Sequence, residues 1–500
     1  MKYFVNAFRI IVGSLFIFSG FVKAVDPLGT SFKMKDYFGA FSADNFIPGF
    51  WDFLGQYSTT LSILFVSLEF FLGVMLIIGW KPKITVTFIY FLTLYFTALT
   101  GYTYLSGFCL TKSFAFFSMA ILILLAIVPF ISRQGFQRKY AVGLVGLTIA
   151  MLIAGKFGGL FFKCDFTESN MKVTDCGCFG DFMKLHPKES FWKDIVLTIM
   201  ILVMVLGVKE IKSPLTSGFL RISKIITAVV ILFFSVYNVM FSEPLIDFRG
   251  WKVGNKIEDQ MKEIPDVLQL IYIYEDKTTG EQAKYFSGAT GTEADQRVID
   301  SLGLDGVTPL LWKDKAWMDA HEYKDREDKV IKKGVPAKIH DFYIKADTMI
   351  SVPVDTYYVK YDGTDSAFTV DTTFLVERDT TMDITMNVIN SPNYQFFVIV
   401  WDLEKAKQSA FKKINELQIA CEKAGIKFYG FASGSTEDIE KFRHDVQCAF
   451  PFTFIDEKAL KTATRSNPGL ILLKDGFVKG KWHYRQIPSF EKVNNKFLNQ

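Results

Sequence analysis

Seven apolar runs, each near the length a helix needs to cross a bilayer, fill most of the first 242 residues. A span needs about 20 such residues, because backbone amides in hydrocarbon must bond within their own helix. The runs cover approximately residues 5–25, 59–80, 84–105, 113–132, 140–160, 191–209 and 223–242. After them the polarity reverses: of 52 acidic residues, 12 precede Glu243 and 40 lie from Glu243 onward. The chain therefore reads as a polytopic α-helical membrane bundle of about seven transmembrane helices over 1–242, followed by water-exposed domains. The first run reads as a retained anchor, since it is long, carries Arg9 and is followed by no small-x-small cleavage site.

Basic residues in short loops set the orientation. Lys2 precedes run one, Lys81 and Lys83 separate runs two and three, and Arg133, Arg138 and Lys139 separate four and five. Lys209, Lys212, Arg221 and Lys224 lie between six and seven, with Glu210 the only acid in these stretches. The alternate loops, 26–58, 106–112 and 161–190, mix acids with bases. The expectation is a bacterial inner-membrane protein with a cytosolic N-terminus and a periplasmic region after Ser242. The net charge of +4 is small and no basic aromatic run occurs, so nucleic acid is not an expected partner.

That topology puts Cys109, Cys164, Cys176 and Cys178 on the outer side, and Cys421 and Cys448 in the exported part. In an oxidising compartment thiols tend to pair. The four outer cysteines allow three pairings, and three roles stay open. They form structural staples, or a redox-active pair in the loop Asp175-Cys176-Gly177-Cys178-Phe179-Gly180-Asp181, or a metal site built from Cys164, Cys176, Cys178 and His186. The last spacing resembles no common zinc pattern, so no metal is expected. Glu69 sits halfway along run two, where a charge costs a few kcal/mol unless paired or protonated. It reads equally as a proton or quinone site and as one half of an interhelical pair. Arg9 and Lys23, near opposite ends of run one, are expected to snorkel to the interfaces. Ala150, Ala154 and Gly158 give run five a small-residue face for close packing.

The exported part divides near residue 390. Over 243–390, strands are expected at 268–274, 342–345 and 357–361, and His321 and His340 lack metal-ligand spacing. Over 391–500 the order is alternating α/β: strand 396–401, a helix from 403 to the Ala424-Gly425 stop, strand 427–431, helix 436–444, and strands 452–455 and 470–474. Cys421 shares a helical face with Phe411, Ile414 and Leu417, the mark of a core position. Cys448, in a loop, is free or paired with Cys421 or another chain.

Arg9, Gly13, Phe18-Ser19-Gly20, Lys23 and Asp26-Pro27-Leu28-Gly29 resemble the DoxX-like membrane proteins. The Cys-Gly-Cys-Phe-Gly loop followed by Phe191-Trp192-Lys193-Asp194 resembles their methylamine-utilisation (MauE) branch, and the whole is similar to Bacteroidetes-type DoxX proteins with a long exported C-terminal region. The resemblance implies a small helical bundle linked to thiol–disulfide or quinone-coupled redox work. In such proteins the Cys-Gly-Cys loop follows the third run directly, so 107–172 reads as a two-helix insertion. Cys109 and Cys164, at its two junctions, are then a structural disulfide, and Cys176 and Cys178 the working pair. Asn467-Pro468 resembles the cis-proline turn of thioredoxin-like domains, yet Asp402-Leu403-Glu404-Lys405 stands where Cys-x-x-Cys belongs. The end of the chain thus resembles a degenerate thioredoxin fold used for binding.

Two functions follow as expectations. One is a redox-linked accessory protein in which Cys176 and Cys178 exchange disulfides and pass electrons to a quinone, with Glu69 as its proton or quinone site. The other is a non-catalytic assembly protein whose thioredoxin-like domain binds periplasmic or membrane partners. No histidine lies in a span, which argues against bis-histidine haem.

Overall fold

Helices α1 (Lys2–Val25) and α4 (Ser58–Ile78) pack along each other because glycines line the contact. A Cβ on Gly20 would sit 2.6 Å from the Phe70 backbone nitrogen, and one on Gly73 would sit 2.8 Å from that of Ile17. Close backbone approach is how helices associate where lipid removes the hydrophobic drive between them. The computed structural model describes residues 2–44, 48–110, 121, 123–125, 127, 164, 166–173, 177, 179–183, 185–213, 215–265, 267–286, 307–310, 314–332, 334–361 and 366–498. Helices α5 (Pro82–Ser106), α6 (Pro187–Leu206) and α7 (Ser217–Met240) complete the described bundle. Its core includes Val12, Phe16, Leu76, Ile89, Tyr90, Ile201 and Met204.

Among the described residues, four helices are long and apolar enough to cross a membrane: Lys2–Val25, Ser58–Ile78, Pro82–Ser106 and Gly218–Met240. The run at 191–209 begins inside α6, whose first two turns carry Lys188, Glu189, Lys193 and Asp194. The runs at 113–132 and 140–160 fall largely or wholly outside the described residues, as do Ala150, Ala154 and Gly158. Residues 26–58, expected as a loop, instead form α2 (Pro27–Ala43) and α3 (Pro48–Gln56). The start of α2 is written locally: Pro27 opens the helix and the Asp26 carboxylate accepts from the Gly29 amide at 3.0 Å.

Neither basic residue of α1 snorkels. Arg9 is buried and donates to the carbonyls of Leu76 (2.9 Å), Ile77 and Lys212 (3.0 Å). Two of these end α4, where the cation meets carbonyls that lack helical partners. Lys23 is also buried and pairs with Glu69. Snorkelling failed as an expectation because each cation has a polar partner at its own depth.

The unit Gly254–Pro392, joined by Lys474–Val478, is built from strands. Strands β1 (Val267–Asp276), β2 (Gln282–Phe286), β3 (Val307–Pro309) and β4 (His321–Lys332) form a sheet ordered β3-β2-β1-β4. Strand β1 runs antiparallel to β2 and β4, and β3 parallel to β2. Strands β5 (Lys345–Tyr361) and β6 (Ser366–Asp383) pair as a long hairpin. Residues 342–344 are not a strand as expected. Phe342 and Ile344 are buried, and the Ile344 amide bonds the Thr385 hydroxyl at 2.7 Å. His321 stacks on Trp317 at 4.0 Å.

The C-terminal region belongs with the bundle in one compact unit. Strands β7 (Gln395–Val400), β8 (Lys427–Ala432), β9 (Phe452–Phe454), β10 (Gly469–Lys474) and β11 (Phe477–His483) form a sheet ordered β11-β10-β7-β8-β9. Strands β7, β8 and β9 are parallel, and β10 is antiparallel to β7. Every residue of β7 is buried, as a strand covered on both faces requires. Helices α8 (Phe411–Glu422), α9 (Thr436–Asp445) and α10 (Glu457–Ala463) accompany it. The first starts at Phe411 rather than 403, because the Asp402 carboxylate ties the Lys405 amide in a turn (3.0 Å). Cys421 and Cys448 are free and buried, and burial pushes both thiols up to about 12.

Candidate functional site

Lys23 and Glu69 face each other across the α1–α4 contact, at 2.9 Å, and both side chains are almost fully buried. They are 46 residues apart in sequence. The Lys23 ammonium also lies 4.6 Å from the centre of the Phe96 ring. Beside the pair opens a cavity of about 130 Å³ between α1, α2, α4, α5 and α6. Phe16, Tyr37, Phe65, Tyr95, Phe96 and Phe179 give it aromatic walls. Its polar lining includes Ser19, Thr30, Lys33, Thr93, Thr100, Lys193 and Asp194. Asp194 is held by Lys193 at 2.9 Å and by the Thr100 hydroxyl at 3.1 Å. Thr93 is buried, and its hydroxyl has no hydrogen-bond partner among the described residues. A buried unpaired hydroxyl in a polar-lined cavity is a donor or acceptor left for something else.

Gly177 and Phe179 line this cavity too. They are the described residues on either side of Cys178, while Cys176 and Cys178 themselves lie outside the described residues. Gly177 adopts a positive φ of 59°, a conformation that glycine reaches without penalty. A Cβ there would come 3.2 Å from the Lys33 side chain of α2. Cys109 and Cys164 are joined in a disulfide, 55 residues apart. His186 caps α6 and pairs with Glu168 at 3.0 Å, so Cys164 and His186 are each engaged elsewhere than in the alternative metal set. The described residues hold no cluster of three or more His, Cys, Asp or Glu that suits a metal.

A second polar cluster lies where the bundle meets the C-terminal sheet, and sequence reasoning did not find it. Arg465 reaches Asp26 at the start of α2 and Asp181 just past the cysteine loop, its Nη2 lying 2.7 Å from each. Glu243, directly after α7, accepts from the Thr464 hydroxyl (2.6 Å) and from the Arg465 and Ser466 amides (3.1 and 2.9 Å). Arg249 pairs with Glu243 (2.9 Å) and Asp247 (2.7 Å), and Lys481 with Asp247 (2.8 Å). Burial would raise the Glu243 carboxyl, but Lys481 and Arg249 beside it hold it down at about 2. Burial would likewise raise Asp26, and Arg465 holds it below the usual carboxylate range. His483, buried at the end of β11, is lowered to about 4 because burial disfavours its charged form. The only local signal was the stretch from Glu243 to Arg249, three charges in seven residues after an apolar run.

The Asn467–Pro468 peptide is cis, and the Asn467 side chain donates to the Asp402 carbonyl at 2.6 Å. The turn at Asp402 and the turn at Pro468 are therefore neighbours, with no thiol at either.

No curated protein and no solved structure matches the chain. Residues 1–132 of the 500 match the family described as methylamine utilisation protein MauE, and with the four apolar helices this makes the chain a membrane protein whose N-terminal region is MauE-like.

Proposed function

We propose that the protein is a redox-linked accessory protein of the bacterial inner membrane, in which Cys176 and Cys178 exchange disulfides with exported thiols next to a quinone site. One observation carries the reading. Gly177 and Phe179, which flank Cys178, line the same cavity as Lys23, Glu69 and Thr93. In the exchange, an exported dithiol closes to a disulfide as the Cys176–Cys178 disulfide opens, so two electrons and two protons move onto the pair. A bound quinone supplies an acceptor for two electrons and two protons. The residues present suit one: aromatic walls for a ring, and the Thr93 hydroxyl and Lys23 ammonium as donors to ring carbonyls. Glu69 is the countercharge that Lys23 meets inside the bundle, since an unpaired ammonium in hydrocarbon is costly.

On this reading the N-terminus is cytosolic, seven helices cross the bilayer, and the region after α7 is periplasmic. Cys109–Cys164 staples the inserted hairpin. Residues 391–500 form a degenerate thioredoxin-like domain, supported by the β11-β10-β7-β8-β9 order and by the cis bond before Pro468. The matched family's name attaches it to methylamine utilisation; for this chain we propose only the accessory membrane role. The thiol-free turn at Asp402 favours a second reading, in which the whole chain is a non-catalytic assembly protein. Redox titration of the Cys176–Cys178 pair in membranes, read by alkylation and mass spectrometry, decides between them. A midpoint above about −300 mV is expected; a pair locked below that range leaves only the scaffold.

A further inference from the structure

Helix α2 is engaged on two faces. Thr30, Lys33, Met34 and Tyr37 line the cavity beside Lys23 and Glu69, and their spacing of three and four residues puts them on one side of the helix. Phe32 and Lys35 fall on the opposite side, at about 100° per residue. There the C-terminal region grips Phe32: Trp401 meets its ring edge-on at 5.4 Å, Lys461 sits 4.5 Å over it and Arg465 5.5 Å. Arg465 also holds Asp26, the cap of α2, from Nε at 2.8 Å and Nη2 at 2.7 Å. Burial would raise the Asp402 carboxyl, but Lys405 and, from α2, Lys35 hold it below the usual carboxylate range. The bundle holds the same helix through the Ser62 hydroxyl, which donates to the Pro27 carbonyl at 2.6 Å, and through the Tyr37 and Thr103 hydroxyls, 2.7 Å apart.

We propose that α2 couples the cavity to the C-terminal region: a ring ligand in the cavity and the docked C-terminal region stabilise the same placement of α2, so each strengthens the other. The inference rests on the quinone reading of the cavity, extends it to the regulation of that site, and makes no use of the thiols. The two states differ in named contacts. With α2 in place, Thr30, Lys33, Met34 and Tyr37 complete the cavity wall, and Phe32 lies among Trp401, Lys461 and Arg465. With α2 shifted, both sets are lost together, because a rigid helix cannot hold one face still and move the other. Such a coupling is reciprocal: what docking adds to ligand affinity, the ligand adds to docking. Thr30 shows that the α2 wall has bonding capacity to offer, since its hydroxyl, like that of Thr93, is buried with no hydrogen-bond partner among the described residues.

The test uses the purified full-length protein in lipid nanodiscs, with duroquinone, a tailless benzoquinone, as the probe. Thr93→Val removes a hydroxyl from the cavity and should lower binding, which marks the specific part of it. Phe32→Ala, on the face away from the cavity, is expected to weaken duroquinone binding by about fivefold or more. Lys461→Met should act in the same direction, and the double variant should do no more than Phe32→Ala alone, since both remove one contact. Hydrogen exchange in the wild type reads the reverse direction and needs no variant. Duroquinone should slow the amides of α10 by about fivefold or more, although no residue of that helix lines the cavity. Affinity within about twofold of wild type in Phe32→Ala, or protection that stops at α2, overturns the coupling while leaving the quinone site standing. Failure of the quinone reading looks different: duroquinone then binds wild type no better than Thr93→Val, and the coupling falls with it.

Discussion

Deep in the bundle, Lys23 and Glu69 form one matched pair, whereas at the junction with the C-terminal sheet seven charged side chains share partners. The pair sits among apolar helices with Phe96 as another close neighbour, and among the described residues neither charge has a substitute ionic partner. At the junction Glu243 has two cations and three other donors, and Arg249 has two carboxylates. Buried charge is tolerated in both places, but by different means: strict matching in the bundle, redundancy at the junction. On the proposed reading, matching suits a site where a proton or a ligand must find one defined group. Redundancy serves a joint between segments that are remote in sequence.

The largest effect is expected where there is no substitute. Lys23→Met should cost about 3–5 kcal/mol, because it leaves Glu69 buried and unpaired. The double variant Lys23→Met/Glu69→Leu should recover most of that loss, since an apolar pair of similar size needs no desolvation. Unfolding in detergent, followed by chaotrope titration of the purified chain, measures both. A double variant no better than the single would show that the pair is held by more than its own matching.

How far the sequence revealed these two sites follows the same division. The apolar runs were legible because a span is a local, one-dimensional signal, and α1, α4, α5 and α7 overlap the runs at 5–25, 59–80, 84–105 and 223–242. Glu69 was legible as an anomaly in such a run, but its partner was not, because helix-to-helix facing is not written in spacing. Helix α2 escaped notice since Lys33, Lys35 and Asp36 interrupt its apolar pattern and it is too polar to be a span. The C-terminal succession of strands and helices was readable from alternation, although β11 and α10 were missed as short elements in polar sequence. The junction was hidden most completely. Asp26 and Arg465 are 439 residues apart, and nothing in either neighbourhood names the other.

Acid should act on the junction and spare the helices. His483 has a folded value of about 4, below the ordinary imidazole value, because burial disfavours its cation. Between about 4 and 6.5 the unfolded chain binds a proton that the folded chain refuses. Stability from this group is therefore full above about 6.5 and declines as pH falls towards 4, by at most about 3 kcal/mol. Glu243, lowered to about 2 despite burial by Lys481 and Arg249, adds a contribution that is complete above its ordinary value and lost as pH falls through 2. Limited proteolysis between pH 7.5 and 4 should release the C-terminal region before the bundle. His483→Gln should remove the upper part of that pH dependence, and an unchanged profile would place the acid sensitivity elsewhere.

The smallest effect tests redundancy directly. Lys481 bonds Asp247 at 2.8 Å and lies 3.6 Å from Glu243, and its side chain is almost fully buried. By burial alone, Lys481→Met should match Lys23→Met. By partner count it should not, because Asp247 keeps two bonds from Arg249, and Glu243 keeps Arg249, the Thr464 hydroxyl and the amides of Arg465 and Ser466. Methionine fills the space of the lysine stem, so packing changes little. The expected loss is about 1–2 kcal/mol, under half that of Lys23→Met, since the carboxylates left behind stay bonded. Arg249→Met on the Lys481→Met background should then cost more than the sum of the two single changes, as the last cation is removed from two buried carboxylates. Equal losses for Lys481→Met and Lys23→Met, with additive behaviour in the double variant, would mean that the junction is a set of separate pairs and that the contrast between the two regions is one of depth alone.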